Sequence, residues 1–390
     1  MTDTTEATPG YLRVVVLTVA LFLSYLTVAM ALPAIPVHVV EGLGLDNTWG
    51  GLAVGIAFLS TILTRGHAGA WSDRVGGKLA MQCGLLIYVA AGLVCALAAG
   101  PDLSVRQSYT LLLIGRLVLG LGESLALVGM MGWAIGLTGQ ARSGRVISLV
   151  GMGMYGAFAA GGPLGLILLD RIGFVGLMGV CSVLPMAGLV IIQSVPAVEP
   201  HAGPRESIWR IVGRIWRPGA AVGLQGVGFA ALGAFLPLFF LSKGWHHAGL
   251  GLTFFGTGFV GMRLLCGHLP DRMGGARVAA ASLVVEAFGQ YLIWLSPGPY
   301  AAFAGAFLTG IGCSMVFPSM GSVVIKQIPP QLRGTAIGGF AAFQDLAYGA
   351  TGPVVGVLAD YSGYSSVFLI GGFAATLGLC AAIAASRSNG

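Results

Sequence analysis

Two segments of this chain carry the same charged turn, half a chain apart. Arg65, Gly69, Asp73, Arg74, Gly76 and Gly77 recur as Arg263, Gly267, Asp271, Arg272, Gly274 and Gly275, each 198 positions later (263 − 65 = 198). Both copies lie between long apolar runs. A charged, glycine-rich turn repeated in this setting restricts the chain to two similar membrane-embedded halves, an architecture that usually carries solutes.

The apolar runs set the solvent. Of 390 residues, 56% are hydrophobic and 9% are charged, against about 25% charged in an ordinary soluble domain. Lipid therefore surrounds most of the chain. The 64 glycines fit helices that approach one another closely. The net charge of +6 falls mostly in short loops, which points to membrane orientation and not to nucleic acid. The six cysteines lie in or beside apolar runs without metal-ligand spacing, so they are read as small packing residues. His67 and His268, beside the charged turns, are read as interfacial packing residues with pH sensing as the alternative, and the outer pair His246-His247 lacks a cysteine or carboxylate at metal spacing. No metal and no cofactor are expected. Ala29-Met30-Ala31 imitates a signal-peptide cleavage site, but the apolar run continues past it and Asp3 and Glu6 precede it, so a retained membrane helix is expected.

A spanning helix needs about 20 apolar residues. Twelve such runs are present: 14–38, 49–68, 79–100, 109–136, 146–169, 173–195, 218–241, 248–268, 278–296, 300–325, 335–358 and 365–386. Alternate loops are basic, among them those holding Arg74, Lys78, Arg142, Arg145, Arg272, Arg277 and Arg333. The loops between them hold Glu41, Asp46, Asp102, Asp170 and Asp360. By the positive-inside rule both termini lie in the cytoplasm. The predicted fold is all-α: a six-helix bundle over 1–195, a cytoplasmic amphipathic linker over 196–217 and a second six-helix bundle over 218–390. In the linker Arg210, Arg214 and Arg217 share a helical face, which suits lipid headgroups. The repeat continues past the turn with an offset of 190, from Gly120-Leu121-Gly122 to Gly310-Ile311-Gly312 and from Gly162-Pro163 to Gly352-Pro353.

These features together resemble the major facilitator superfamily. Gly69-x-x-x-Asp73-Arg74-x-Gly76-x-Lys78 is similar to its cytoplasmic signature, with Gly77 in place of the usual basic residue. Arg116 followed by Gly120 and Gly122 is similar to the signature of its fourth span. Gly161-Gly162-Pro163-x-Gly165 matches the antiporter motif of the fifth span in part, with Phe158 at the expected earlier glycine. Ser24-Tyr25-Leu26-Thr27, Ala31-Leu32-Pro33-Ala34-Ile35-Pro36, Gly144-Arg145-Val146-Ile147-Ser148 and Phe317-Pro318 resemble the YhhS-like branch of bacterial inner-membrane proteins. The resemblance implies alternating access between two bundles, a cytoplasmic gate at Gly69, Asp73, Arg74, Gly76, Lys78, Gly267, Asp271, Arg272 and Gly274, and a part for Arg116 in proton coupling.

Ionisable groups inside membrane spans are costly and so are functional candidates. Four stand out: Arg116, Glu123, Glu286 and Asp345. Arg116 and Glu123 are seven residues apart, close to two helical turns, so they share a face about 10 Å apart along the axis. Three have a structural alternative. Arg116 can hold neighbouring helices together, Asp345 can be a buried polar clasp with Gln344 or Tyr348, and Glu286 can serve hydrogen bonding in a span that the resemblance places at the bundle periphery. Tyr25, Thr27, Tyr155, Gln225, Ser314 and Ser319 are candidate cavity-lining residues. The expected function is a secondary transporter, read as proton-coupled efflux, with proton-linked uptake of a sugar or organic acid as the alternative. The expected partners are a small-molecule substrate, protons and the lipid bilayer, and the expected state is a monomer. Neither H-E-x-x-H nor G-x-S-x-G occurs, and no ATP-binding loop is present, so no enzyme is expected.

Overall fold

Lipid cannot satisfy backbone N–H and C=O groups, so apolar runs of this length form helices. The structure, a computed structural model, describes residues 9–139, 143–199, 208–328 and 333–387, and these contain no strand. The helices are α1 (Pro9–Val37), α2 (Asn47–Val75), α3 (Gly77–Leu97), α4 (Val105–Thr138), α5 (Ser143–Ile191), α6 (Ile208–Ser242), α7 (Ala248–Cys266), α8 (Leu269–Met273), α9 (Gly275–Trp294), α10 (Pro299–Gln327), α11 (Arg333–Ser362) and α12 (Ser365–Arg387). A five-residue π-turn, His38–Gly42, extends α1. Ten helices among the described residues are long and apolar enough to cross a membrane. α5 breaks at Gly173, whose φ of 68° is non-helical, so its 49 residues hold two of the predicted spans. α11, with 30 residues, is long enough to be the twelfth.

The expected linker is shorter than the sequence suggests. Residues from Ile208 onward already belong to α6, which runs through Pro218 without a break. Of the basic face, Arg214 is exposed and Arg217 lies 5.5 Å from the Trp216 ring. The Arg210 side chain lies outside the described residues.

The chain groups into two compact units. The first comprises Met1–Met30, Ser60–Gly161 and Leu168–Gly203; the second comprises Ala31–Leu59, Gly162–Ile167 and Pro204–Gly390. The break at 203/204 falls inside the predicted linker. The far ends of the first two spans, however, group with the second half of the sequence.

Inside each unit the same helix pair recurs, packed through the same glycines. In the first, α3 packs on α4. A methyl group on Gly122 would lie 3.0 Å from the Gly84 carbonyl oxygen and 3.1 Å from the Tyr88 nitrogen, and one on Gly115 would press on Cys95 and Ala91. In the second, α9 packs on α10. A methyl on Gly312 would lie 2.6 Å from the Ser282 carbonyl oxygen and 2.5 Å from the Glu286 nitrogen, and one on Gly305 would meet Gly289 and Ile293. The pairs correspond under the two sequence offsets, 190 for Gly115 and Gly122 and 198 for Gly84 and Tyr88. The repeated turns also match: Gly76 has φ 90° and Gly274 has φ 88°, a region that glycine enters without steric cost.

Backbone atoms cannot move aside as a flexible side chain can, so filling this seam forces the helices apart. Gly312→Leu is expected to cost about 1–3 kcal/mol, the usual range for overpacking, seen as a lowered unfolding temperature of the purified protein in detergent. An unchanged unfolding temperature would show that α9 and α10 are not held this closely.

Candidate functional site

In the first unit a polar cluster forms around Glu123. Its position on α4 turns the side chain into the unit, and only 2% of the residue is exposed. The Tyr25 hydroxyl of α1 donates to Glu123 Oε1 at 2.9 Å. The Thr61 hydroxyl of α2 lies 3.2 Å from Glu123 Oε2 and equally 3.2 Å from the Gly120 carbonyl oxygen. Thr61 has one hydroxyl proton for these two acceptors. The pair α2–α4 is tied further: Ser124 Oγ donates to the Thr61 carbonyl at 2.7 Å, and Ser124 and Thr64 hydroxyls lie 2.8 Å apart.

Arg116 is also 2% exposed. Its guanidinium lies in the neighbourhood of Cys95, Glu123, Cys181 and Tyr88. Tyr88 of α3 is fully buried, and its hydroxyl lacks a hydrogen-bond partner among the described residues. The structure thus brings together Tyr25, Arg116 and Glu123, which the sequence singled out separately. It adds Thr61 and Tyr88, which sequence reasoning missed. The run Ser60-Thr61 with Thr64, three hydroxyls within five apolar-span residues, was the available signal for the first. A lone tyrosine in α3 offered little for the second. Phe158 packs edge-on against Tyr25, with ring centroids 6.2 Å apart. The residue that replaces the antiporter-motif glycine therefore braces the tyrosine that holds Glu123.

The second unit places a different acid at its centre. Glu286 of α9 is fully buried. Gln225 of α6 and Cys313 of α10 are its polar neighbours, and neither closes a hydrogen bond of ordinary geometry on its carboxyl oxygens. Gly228 makes room for it: a methyl there would lie 2.7 Å from Glu286 Oε1. Gln290, one turn along α9, donates to the Gly228 carbonyl at 3.0 Å, and Gln344 of α11 donates to Gln225 Oε1 at 3.2 Å. A polar path so links α9, α6 and α11, where Asp345 follows Gln344 and is also buried. Tyr348, a turn further, packs edge-on against Phe58 and tilted against Phe229, with both centroids 5.1 Å away.

Other candidates stand apart from these clusters. Thr27 donates to its own helix at the Ser24 carbonyl, 2.7 Å. Ser314 donates to the Phe259 carbonyl at 2.7 Å, and its own carbonyl takes a 2.7 Å bond from Arg263. Ser319 is buried with an unsatisfied hydroxyl among the described residues. The Tyr155 side chain lies outside the described residues.

The signature turns sit at helix ends. Asp73 and Arg74 are exposed in the last turn of α2, and Asp271 and Arg272 are exposed in α8. A methyl on Gly69 would come no nearer than 4.0 Å to Val128, and Gly267 closes α7. Lys78 is an anchor inside the first unit: its Nζ donates to the Val195 carbonyl at 2.7 Å and lies 5.5 Å from the Trp133 ring. Trp133 in turn donates to the Pro196 carbonyl at 2.9 Å. The departure at Gly77 has a packing cause. A methyl there would lie 2.5 Å from the Gly129 carbonyl oxygen and 2.7 Å from the Trp133 nitrogen, so a basic side chain has no room.

Comparison with known proteins assigns the fold a family. The Major Facilitator Superfamily profile matches residues 17–269 and 219–388. An uncharacterised MFS-type transporter of Salmonella typhimurium is 42% identical over 359 residues, 92% of each chain. The MFS-type transporter YhhS of Escherichia coli is 34% identical over 365 residues, 92% of this chain and 88% of that protein. A solved D-xylose-proton symporter superimposes with a TM-score of 0.76 at 17% identity, covering 95% of this chain and 96% of that one. The chain belongs to the major facilitator superfamily. It is a multi-pass membrane protein of a family of secondary transporters.

Restoring the family's basic residue at position 77 is therefore expected to harm this protein. Gly77→Arg should lower stability by about 1–3 kcal/mol through overpacking against α4, read as a fall in unfolding temperature. Wild-type stability in that variant would mean that the α3–α4 contact is looser than described.

Proposed function

We propose that the chain is a proton-coupled antiporter that exports a small solute across a bacterial inner membrane by alternating access. The observation that carries this reading is the Glu123 cluster: a buried carboxyl two helical turns from a buried guanidinium on the same helix, held by two hydroxyls that can each donate or accept. A carboxylate changes its proton affinity when its solvation and its distance from a cation change. Conformational exchange changes both, so the group can load a proton on one side and release it on the other. Thr61 supplies the local adjustment. With Glu123 ionised, the Thr61 proton points to Oε2. With Glu123 protonated, that proton turns to the Gly120 carbonyl and the threonine oxygen accepts from the carboxyl. The buried cluster thus stays hydrogen-bonded in both states, which limits the cost of leaving a polar group unsatisfied.

Export is favoured by the partial antiporter motif in α5, whose Phe158 braces Tyr25. The competing reading is proton-linked uptake of a sugar or organic acid. In both, the chain acts as a monomeric carrier with cytoplasmic termini and without enzymatic chemistry. Asp345 and the path through Gln344 and Gln225 to Glu286 are proposed to serve substrate contact or a second proton step. The exposed Asp73-Arg74 and Asp271-Arg272 turns are proposed to gate the cytoplasmic side.

The test is flux in proteoliposomes under an imposed pH gradient, screened over sugars, organic acids, siderophore-like chelators and cationic drugs. Flux should follow the gradient, in the sense of exchange for protons; co-movement with protons would select uptake instead. Flux indifferent to collapse of the gradient would remove proton coupling. Glu123→Gln and Arg116→Ala should abolish driven flux in folded protein. Thr61→Val should slow it roughly tenfold, about the effect of one buried hydrogen bond, while Thr61→Ser retains it. Wild-type coupling in Glu123→Gln would place the proton elsewhere.

A further inference from the structure

Asp360 belongs to none of the clusters above, yet it accepts four hydrogen bonds. It lies in the last turn of α11. One carboxylate oxygen accepts from the Asn47 backbone nitrogen at 3.0 Å and from Asn47 Nδ2 at 2.8 Å. The other accepts from the Thr48 backbone nitrogen at 3.1 Å and from Thr48 Oγ1 at 2.6 Å. Tyr364, just beyond α11, donates to Asn47 Oδ1 at 2.7 Å. Asn47 and Thr48 open α2, whose first N–H groups have no partner within the helix and carry the positive end of its dipole. A cap normally comes from the residue before the helix. Here it comes from a helix about three hundred residues away in sequence.

Burial raises the proton affinity of the Asp360 carboxyl, but the donors from Thr48 and Asn47 together hold its pKa below the ordinary aspartate value. At neutral pH it is charged, and charge-assisted bonds of this kind are about twice as strong as neutral ones. Below the cap the two backbones touch. A methyl on Gly51 would collide with the Gly352 carbonyl, one on Gly55 with the Gly349 carbonyl, and one on Gly356 would lie 2.6 Å from the Asn47 carbonyl oxygen. Gly51 and Gly55, like Gly352 and Gly356, have the four-residue spacing that lets helices meet backbone to backbone. All of these residues belong to the second compact unit. Asp73 and Arg74 sit at the opposite end of α2.

We propose that Asp360, Asn47, Thr48 and Tyr364 form a latch that holds α2 to α11 at the membrane face opposite the Asp73 turn, and that its release is the step that opens that face. The inference rests on the carrier reading, since only a protein that alternates needs such a step. Two properties suit the seam to this use. Glycine contacts bury little side-chain area, so opening them to water exposes less apolar surface than parting a seam of large side chains. The cap concentrates the remaining attraction in one carboxylate at the rim, where water can replace its bonds one by one.

The test needs neither substrate nor a pH gradient, so its failure is distinct from a failure of the transport reading. The full-length chain, with native cysteines replaced by alanine, carries Phe58→Cys in lipid nanodiscs. Phe58 is buried and packs against Tyr348 of α11, about two turns into the seam from Gly51, so a water-soluble maleimide modifies the cysteine only while the face is open. Fraying of the first turn alone leaves it protected. Asp360→Ala should raise the modification rate about tenfold, and Thr48→Val or Tyr364→Phe roughly two- to fivefold, as expected for loss of several bonds and of one. Gly51→Leu should raise it with the latch intact, because the seam cannot close. A parent-like rate in Asp360→Ala overturns the latch, most plainly if Gly51→Leu accelerates labelling. If Asp360→Ala does not purify as a folded protein, Asp360→Asn and Thr48→Val carry the test, and parent-like rates in both overturn it equally.

Discussion

Apolar side chains gain little by turning from lipid toward another helix, so what holds this molecule together is the closeness of its backbones. Glycine sets that distance. Gly115 and Gly122 bring α4 against α3, Gly305 and Gly312 bring α10 against α9, and Gly51 and Gly352 bring α2 against α11. The polar clusters depend on these contacts. Tyr88 reaches the Arg116 and Glu123 region because Gly122 lets the α3 backbone lie within van der Waals distance. Glu286 fits beside α6 because Gly228 leaves its side-chain volume vacant. A wider spacing would admit lipid chains or leave buried polar groups further from their partners.

The same constraint explains which parts of the structure could be read in advance. Helices and their order follow from run length, because lipid leaves the backbone no other way to bond. The repeated turn was legible because a left-handed position demands glycine, and Gly76 and Gly274 both occupy one. Single buried charges were legible because their cost in lipid makes them rare. Pairings were not. Tyr25 and Glu123 are 98 residues apart, and Asp360 meets Asn47 from 313 residues away. Such contacts are made by packing and leave no spacing in the sequence. Thr61 was missed for a related reason, since a hydroxyl in a helix usually bonds its own backbone, as Thr27 does. The amphipathic helix at the end of the linker was legible, but its continuity with the span was hidden because Pro218 and a run of arginines look like a boundary.

Departures from the family pattern prove as informative as matches to it. Gly77 replaces a basic residue because α4 occupies the space, and Lys78 supplies a cation one position later, where it can reach the Val195 carbonyl. Phe158 replaces a glycine and spends its bulk on Tyr25. In each case a neighbouring element accounts for the change. Substitutions at a shared motif are thus better judged by the volume around them than by the motif.

The internal repeat carries this logic furthest. Under the offsets that align the two glycine seams, Tyr88 corresponds to Glu286 and Glu123 to Cys313. The structure bears out the correspondence, since Gly122 packs on the Tyr88 backbone as Gly312 packs on that of Glu286. Each helix pair therefore has one acid at equivalent depth, but on opposite helices: on α4 in the first unit and on α9 in the second. The arginine does not follow. Ala306 stands at the position equivalent to Arg116, so Glu123 has a cation two turns away on its own helix and Glu286 has the amide of Gln225 and the thiol of Cys313. A cation near a carboxyl favours its charged form, a bias that neutral neighbours supply only through hydrogen bonds. The duplicated backbone thus supplies two frames of the same shape, and the relocation of one acid and the loss of one arginine give them different electrostatic work.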